Sequence, residues 1–123
     1  MGHERLRCFG VLMETAKRVP AIVRRAGRGN ANLVDQFKRA LSSGVLNLAE
    51  GNSRTSAKER ARFFDISIAS IAEAAAAIEV LAAYGEMSGQ EAIEISEQLR
   101  IGYAMIINLK RATVSRNLLS SVI

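Results

Sequence analysis

A chain of 123 residues with 49% hydrophobic content fills one core, and its formal charge of +5 makes the surface basic. One cysteine and one histidine exclude an internal disulfide, a cysteine-cluster metal site and a histidine-based catalytic triad. A single proline, no tryptophan and abundant Ala, Leu, Ile, Glu and Arg point to an all-α chain of one domain.

The first helix is predicted over about residues 5–26, with Leu6, Phe9, Leu12 or Met13, Ala16, Val19 and Val23 at helical spacing. Pro20 lies inside it and predicts a kink or a short break. Gly27-Arg28-Gly29-Asn30 reads as a turn. A second helix follows over about 32–50, with Leu33, Phe37, Ala40 or Leu41, Val45 and Leu48 on one face and Gly51-Asn52 as its stop. Ser56-Ala57-Lys58-Glu59 and Ser88-Gly89-Gln90-Glu91 both fit a capping box, in which each serine caps the helix and each glutamate reaches back to the cap. They open a third helix over 57–84, ending at Gly85, and a fourth over about 90–117. The stripe Phe64, Ile68, Ile71, Ala75, Ile78, Ala82 is the expected bundle seam of the third helix. From Leu99 to Leu109 the fourth helix is apolar on nearly every face, more than one core uses, which suggests burial against another subunit. Long helices and short turns predict an antiparallel up-down four-helix bundle.

Charge is segregated along the chain. Residues 1–40 carry nine Lys/Arg against three Asp/Glu, and residues 41–65 carry four against three. Residues 66–99 carry no base and six acids, and residues 100–123 carry four bases and no acid. Such separation lets one surface be strongly positive. No run reaches the roughly 18 uninterrupted apolar residues of a membrane span, and the first five residues hold no apolar signal core. A cytoplasmic, membrane-free protein is the expectation.

Candidate chemistry is sparse. No phosphate-binding glycine loop is present, since Gly27-Arg28-Gly29 has no third glycine at the needed offset. Cys8 reads as a small buried hydrophobe. Glu50 and Glu73 are the best carboxylates for acid–base work, but no nucleophile or cofactor accompanies them. No enzyme and no cofactor are expected. The basic candidates are Arg18, Arg24, Arg25 and Arg28 near the end of helix one, Lys38 and Arg39 on helix two, and Arg54, Lys58 and Arg62, which step by four. A helix continuing to Gly27 would set the first group on adjacent faces. Asn47, on a largely apolar helix, suits a buried hydrogen bond as well as a ligand contact.

One stretch carries a resemblance. Gln36, Lys38, Arg39 and Ala40, then Asn47-Leu48-Ala49-Glu50-Gly51, then Arg54, Ser56, Lys58 and Glu59, then Arg62, Phe63, Phe64 and Ile66, then Ser70, Ile71 and Glu73 follow a fixed spacing. The pattern resembles the four-helix-bundle proteins encoded by intervening sequences in bacterial 23S ribosomal RNA genes, which are related to the accessory variability determinant of diversity-generating retroelements. Gly44-Val45 stands where that pattern has Ile-Pro, which predicts a more regular second helix. Arg60 replaces a Phe, Ala69 a Gly and Ala75 a second glutamate. The resemblance implies a bundle that closes into a ring-like homo-oligomer, often five-fold, with a basic surface that binds RNA, DNA or their hybrid. In the retroelement branch it also implies a reverse transcriptase as partner, and it implies no enzymatic activity. The other class left open is a protein-interaction scaffold that docks on an acidic partner and binds nucleic acid incidentally.

Overall fold

The structure, a computed structural model, describes residues 2, 3 and 6–122, with side chains through residue 118. Helices α1 (Arg7–Ala16), α2 (Val19–Arg25), α3 (Ala31–Ser53), α4 (Ala57–Ala83) and α5 (Gly89–Val122) make up the chain, with a short 3₁₀ turn at Arg28–Asn30 and no strand among the described residues. The predicted start of the first helix at Arg5 lies outside the described residues.

Pro20 explains the break between α1 and α2. It cannot donate to the carbonyl of Ala16, and its ring would collide with that carbonyl in a continuous helix. The chain therefore closes α1 at Ala16, with Lys17 N–H on the Met13 carbonyl and Arg18 N–H on that of Thr15. Helix α2 restarts with proline in its first turn, where a missing N–H costs nothing. It ends at Arg25, because Ala26 is extended. The first predicted helix is thus two, and it does not reach Gly27.

Buried apolar side chains of α1 to α5 form one core, including Leu12, Ile22, Phe37, Leu48, Phe64, Ile71, Ile78, Leu81, Ile95, Leu99 and Ile106. Two of its contacts depend on glycine. A Cβ at Gly44 would sit 2.3 Å from Ile71 Cδ1, and one at Gly51 2.7 Å from Phe64 Cε1. Gly51, read from sequence as a helix stop, is instead a buried contact point inside α3, which runs on to Ser53. Where the family pattern has Ile-Pro, Gly44-Val45 lets α3 continue unbroken. The Ser67 hydroxyl donates to the Gly44 carbonyl at 2.6 Å, and the Ser43 and Ser70 hydroxyls meet at 2.9 Å. Asn47 takes the structural role, its amide donating to the Ser43 carbonyl at 2.8 Å.

The seam of α4 is rotated from the predicted stripe. Phe64, Ser67, Ile71, Ala74, Ala77, Ile78 and Leu81 are buried, while Ile68, Ala75 and Ala82 are only partly covered. The small alanines let the adjoining helices share a broader face than one heptad stripe. By length and composition alone α4 could cross a membrane, which the count of uninterrupted apolar residues did not anticipate. Its Phe64, Ile71, Ile78 and Leu81 belong to the core, while Ile66 and Val80 are more than a third exposed.

The helix starts are half as predicted. Ser56 Oγ accepts from Glu59 N–H, and Ser88 Oγ from Glu91 N–H, both at 3.1 Å. The two glutamates do not complete the boxes: the Glu59 carboxylate takes Arg62 and the Glu91 carboxylate takes Arg25. A charge-assisted bond to guanidinium is stronger than one to a neutral amide. Gly85, at φ +80°, ends α4 with its N–H on the Ala82 carbonyl and Glu86 N–H on that of Leu81. That pair of bonds needs a left-handed residue.

Candidate nucleic-acid interface

The predicted basic belt divides into paired and unpaired halves. At the end of the molecule where α2 meets the first turns of α5, the acidic stretch of the sequence folds back onto the arginines. Arg18 Nη1 lies 3.1 Å from Glu94, and Arg25 Nη2 2.5 Å from Glu91. Glu86 clamps the preceding turn, accepting from Gly27 N–H at 3.0 Å and from the Asn30 amide at 2.5 Å. These bonds hold the carboxyls below their ordinary values: Asn30 and Gly27 act on Glu86, Arg25 on Glu91, and Gln90 with Arg18 on Glu94. Arg39 pairs with Asp35 on its own helix.

Arg24, Arg28 and Lys38 are exposed and have no carboxylate partner among the described residues. Arg28 sits in the 3₁₀ turn, so the adjacent-face argument for a continuous helix through residue 28 fails. Arg24 stands on α2, Arg28 in the turn that leads to α3, and Lys38 on α3. Lys38 borders a shallow apolar groove with Met13, Val19, Pro20 and Leu46.

The other basic group lies at the α3–α4 turn. Arg54 caps the end of α3 in extended conformation and so does not share a helix with Lys58 and Arg62. Both it and Arg62 nonetheless lie over the Phe63 ring, at 4.9 Å and 4.4 Å from its centroid. Glu50 pairs with Arg54 at 2.5 Å and Glu59 with Arg62 at 3.1 Å. Lys58 is exposed and unpaired among the described residues. Arg60 turns inward over Phe64 and donates to the carbonyls of Asn52 and Arg54, at 2.8 Å and 3.1 Å, holding the turn closed.

The second half of α5 adds cations that the motif reading passed over. Arg116 and Asn117 share a recess with Thr55, Ser56 and Arg60, and Arg111 is exposed one turn earlier. Neither arginine has a carboxylate partner among the described residues. The signal was in the sequence: residues 100–123 hold four bases and no acid.

Gln36, Arg39 and Glu73 come together with Asn32 in a polar recess between α3 and α4. Glu50 and Glu73 form no acid–base pair. Glu50 is beside the level of Phe64, and nine helical residues, about 13 Å of rise, separate that level from Glu73. Cys8 is buried, and burial pushes its thiol pKa up. Among the described residues no three His, Cys, Asp or Glu side chains converge to hold a metal ion.

No curated protein is similar enough in sequence to register a match. The family model of the 23S rRNA-intervening sequence proteins matches residues 4–108, which takes in α1 to α4 and more than half of α5. The chain belongs to the 23S rRNA-intervening sequence protein family.

Proposed function

We propose that this protein is a non-catalytic nucleic-acid-binding accessory factor that grips backbone phosphates through the exposed cations of a homo-oligomer. The observation that carries the reading is the asymmetry of unpaired charge. Arg24, Arg28, Lys38, Lys58, Arg111 and Arg116 are exposed without carboxylate partners among the described residues, whereas the unpaired exposed carboxylates there are Glu73 and Glu79, both on α4. A surface with free cations on four helices and a turn attracts a polyanion by counterion release. The family name ties its members to intervening sequences within 23S rRNA, so structured RNA is the first ligand to test. A reverse transcriptase is the protein partner to try, on the retroelement resemblance.

We also infer that the helices alternate in direction around the bundle. Partner numbers on α4 rise from Phe64 to Ile71 as those on α3 fall from Gly51 to Gly44, and α5 faces α1 through Leu12–Gly102 and Thr15–Gln98. Closure of several copies into a ring, five by the resemblance, would repeat the free cations into a continuous positive belt.

The test is a salt series with structured RNA, duplex DNA and an RNA–DNA hybrid. Wild type should bind all three with a steep loss of affinity with salt. Replacing Arg24, Arg28 and Lys38 together by glutamate should weaken all three and flatten the slope, while helical content and oligomer mass hold. Unchanged binding at every salt concentration would overturn this reading in favour of a scaffold that docks on an acidic protein.

A further inference from the structure

The arginines at the α3–α4 turn are built differently from the free cations around them. Arg54 donates to Glu50 through Nη2, and Arg62 to Glu59 through Nε and Nη2, so each has a carboxylate competing with any phosphate. Their guanidinium carbons lie over Phe63, and 46% and 57% of the two side chains remains exposed. A guanidinium is a planar, weakly hydrated plate that packs against aromatic rings. Paired with a carboxylate, such a plate is poor at attracting a phosphate and good at stacking on a second flat π-system. Lys58, one turn before Arg62 on α4, is free to take a charged group beside it.

We propose that Arg54, Phe63 and Arg62 form a stacking platform for an unpaired base of single-stranded nucleic acid, with Lys58 taking the adjoining phosphate. The inference rests on the nucleic-acid reading above and deepens it: the molecule grips the backbone through free cations and holds an unpaired base on this plate. Stacking tolerates any base and either sugar, so single-stranded RNA and DNA of one length should bind alike here.

The experiment compares a single-stranded oligonucleotide with an abasic strand of the same length and charge, by fluorescence anisotropy at fixed salt. Wild type should bind the base-bearing strand about tenfold more tightly. The double variant Arg54→Lys, Arg62→Lys keeps the charge and removes the plates. It should erase the difference between the strands and leave abasic binding unchanged. Phe63→Leu, which keeps an apolar side chain at that position, should shrink the difference in the same direction. Equal binding of the two strands by wild type, or an undiminished difference in the lysine variant, would overturn the platform and leave the backbone reading standing. Failure of wild type to bind either strand, or any structured RNA or duplex, would overturn both.

Discussion

A methyl group at position 44 has nowhere to go, since its carbon would stand 2.3 Å from Ile71 Cδ1 and 2.8 Å from Cγ1. Gly44→Ala must therefore displace Ile71 or part the helices, an overpacking that costs about 1 to 3 kcal/mol. Removing the offending Cδ1 with Ile71→Val should recover part of that loss, so the double variant will melt above the single Gly44→Ala variant in denaturant titrations. Ile71 and Phe64 are 1% and 0% exposed, and either one changed to alanine should cost about 2 to 5 kcal/mol. The large side chains were legible in sequence as a helical stripe. The role of Gly44 and Gly51 was not, because a glycine that admits a neighbour and one that ends a helix look alike until the neighbour is placed.

Among the elements, the helix starts at Ser56 and Ser88 and the stop at Gly85 were readable because they depend on local chemistry alone. The division of the first helix was readable in kind, through Pro20, but its position one turn earlier follows from which carbonyl the proline leaves unpaired. Glu59 and Glu91 were misread as capping partners, since arginines three and 66 positions away compete for them. The turn from α2 into α3 hangs on such distant carboxylates. Glu86, Glu91 and Glu94 all titrate below the ordinary 4.5 because native hydrogen bonds favour their charged forms. A carboxyl with a lowered native pKa contributes stability above its unfolded value and loses it as pH falls through the native one. Thermal melts should thus show stability holding above pH 4.5 and declining below it. Glu86→Gln should lower the plateau near neutrality and make the acid decline shallower. An acid profile identical to wild type would mean that Glu86 does not hold the turn.

For the molecule as a whole, the distribution of free cations was only partly legible. Local spacing places Asp35, Glu50 and Glu59 beside Arg39, Arg54 and Arg62, but not Glu91 and Glu94, which reach Arg25 and Arg18 from α5 after the chain has turned three times. Apolar surface poses the same problem in reverse. Leu46, Tyr84, Ile93 and Leu118 are all more than 60% exposed, on α3, on α4's end and on α5. The groove between α4 and α5 is lined by Ile71, Ala75, Ile93 and Tyr103, with small side chains that admit a close neighbour. Single exposed apolar residues are ordinary on a folded surface, but large ones on several faces of so small a chain favour burial between copies. Faces that differ in shape meet head to tail, and such contacts close into a ring when the rotation allows. Light scattering at micromolar concentration should give a mass several times the 13.3 kDa of one chain. Leu46→Lys and Ile93→Lys, made separately, should each reduce that mass without loss of helical signal, because both side chains project from the bundle. The variant that dissociates identifies the contact face. A monomer in the unmodified protein would mean that these side chains face solvent and that nucleic-acid binding, where it occurs, uses one subunit's cations alone.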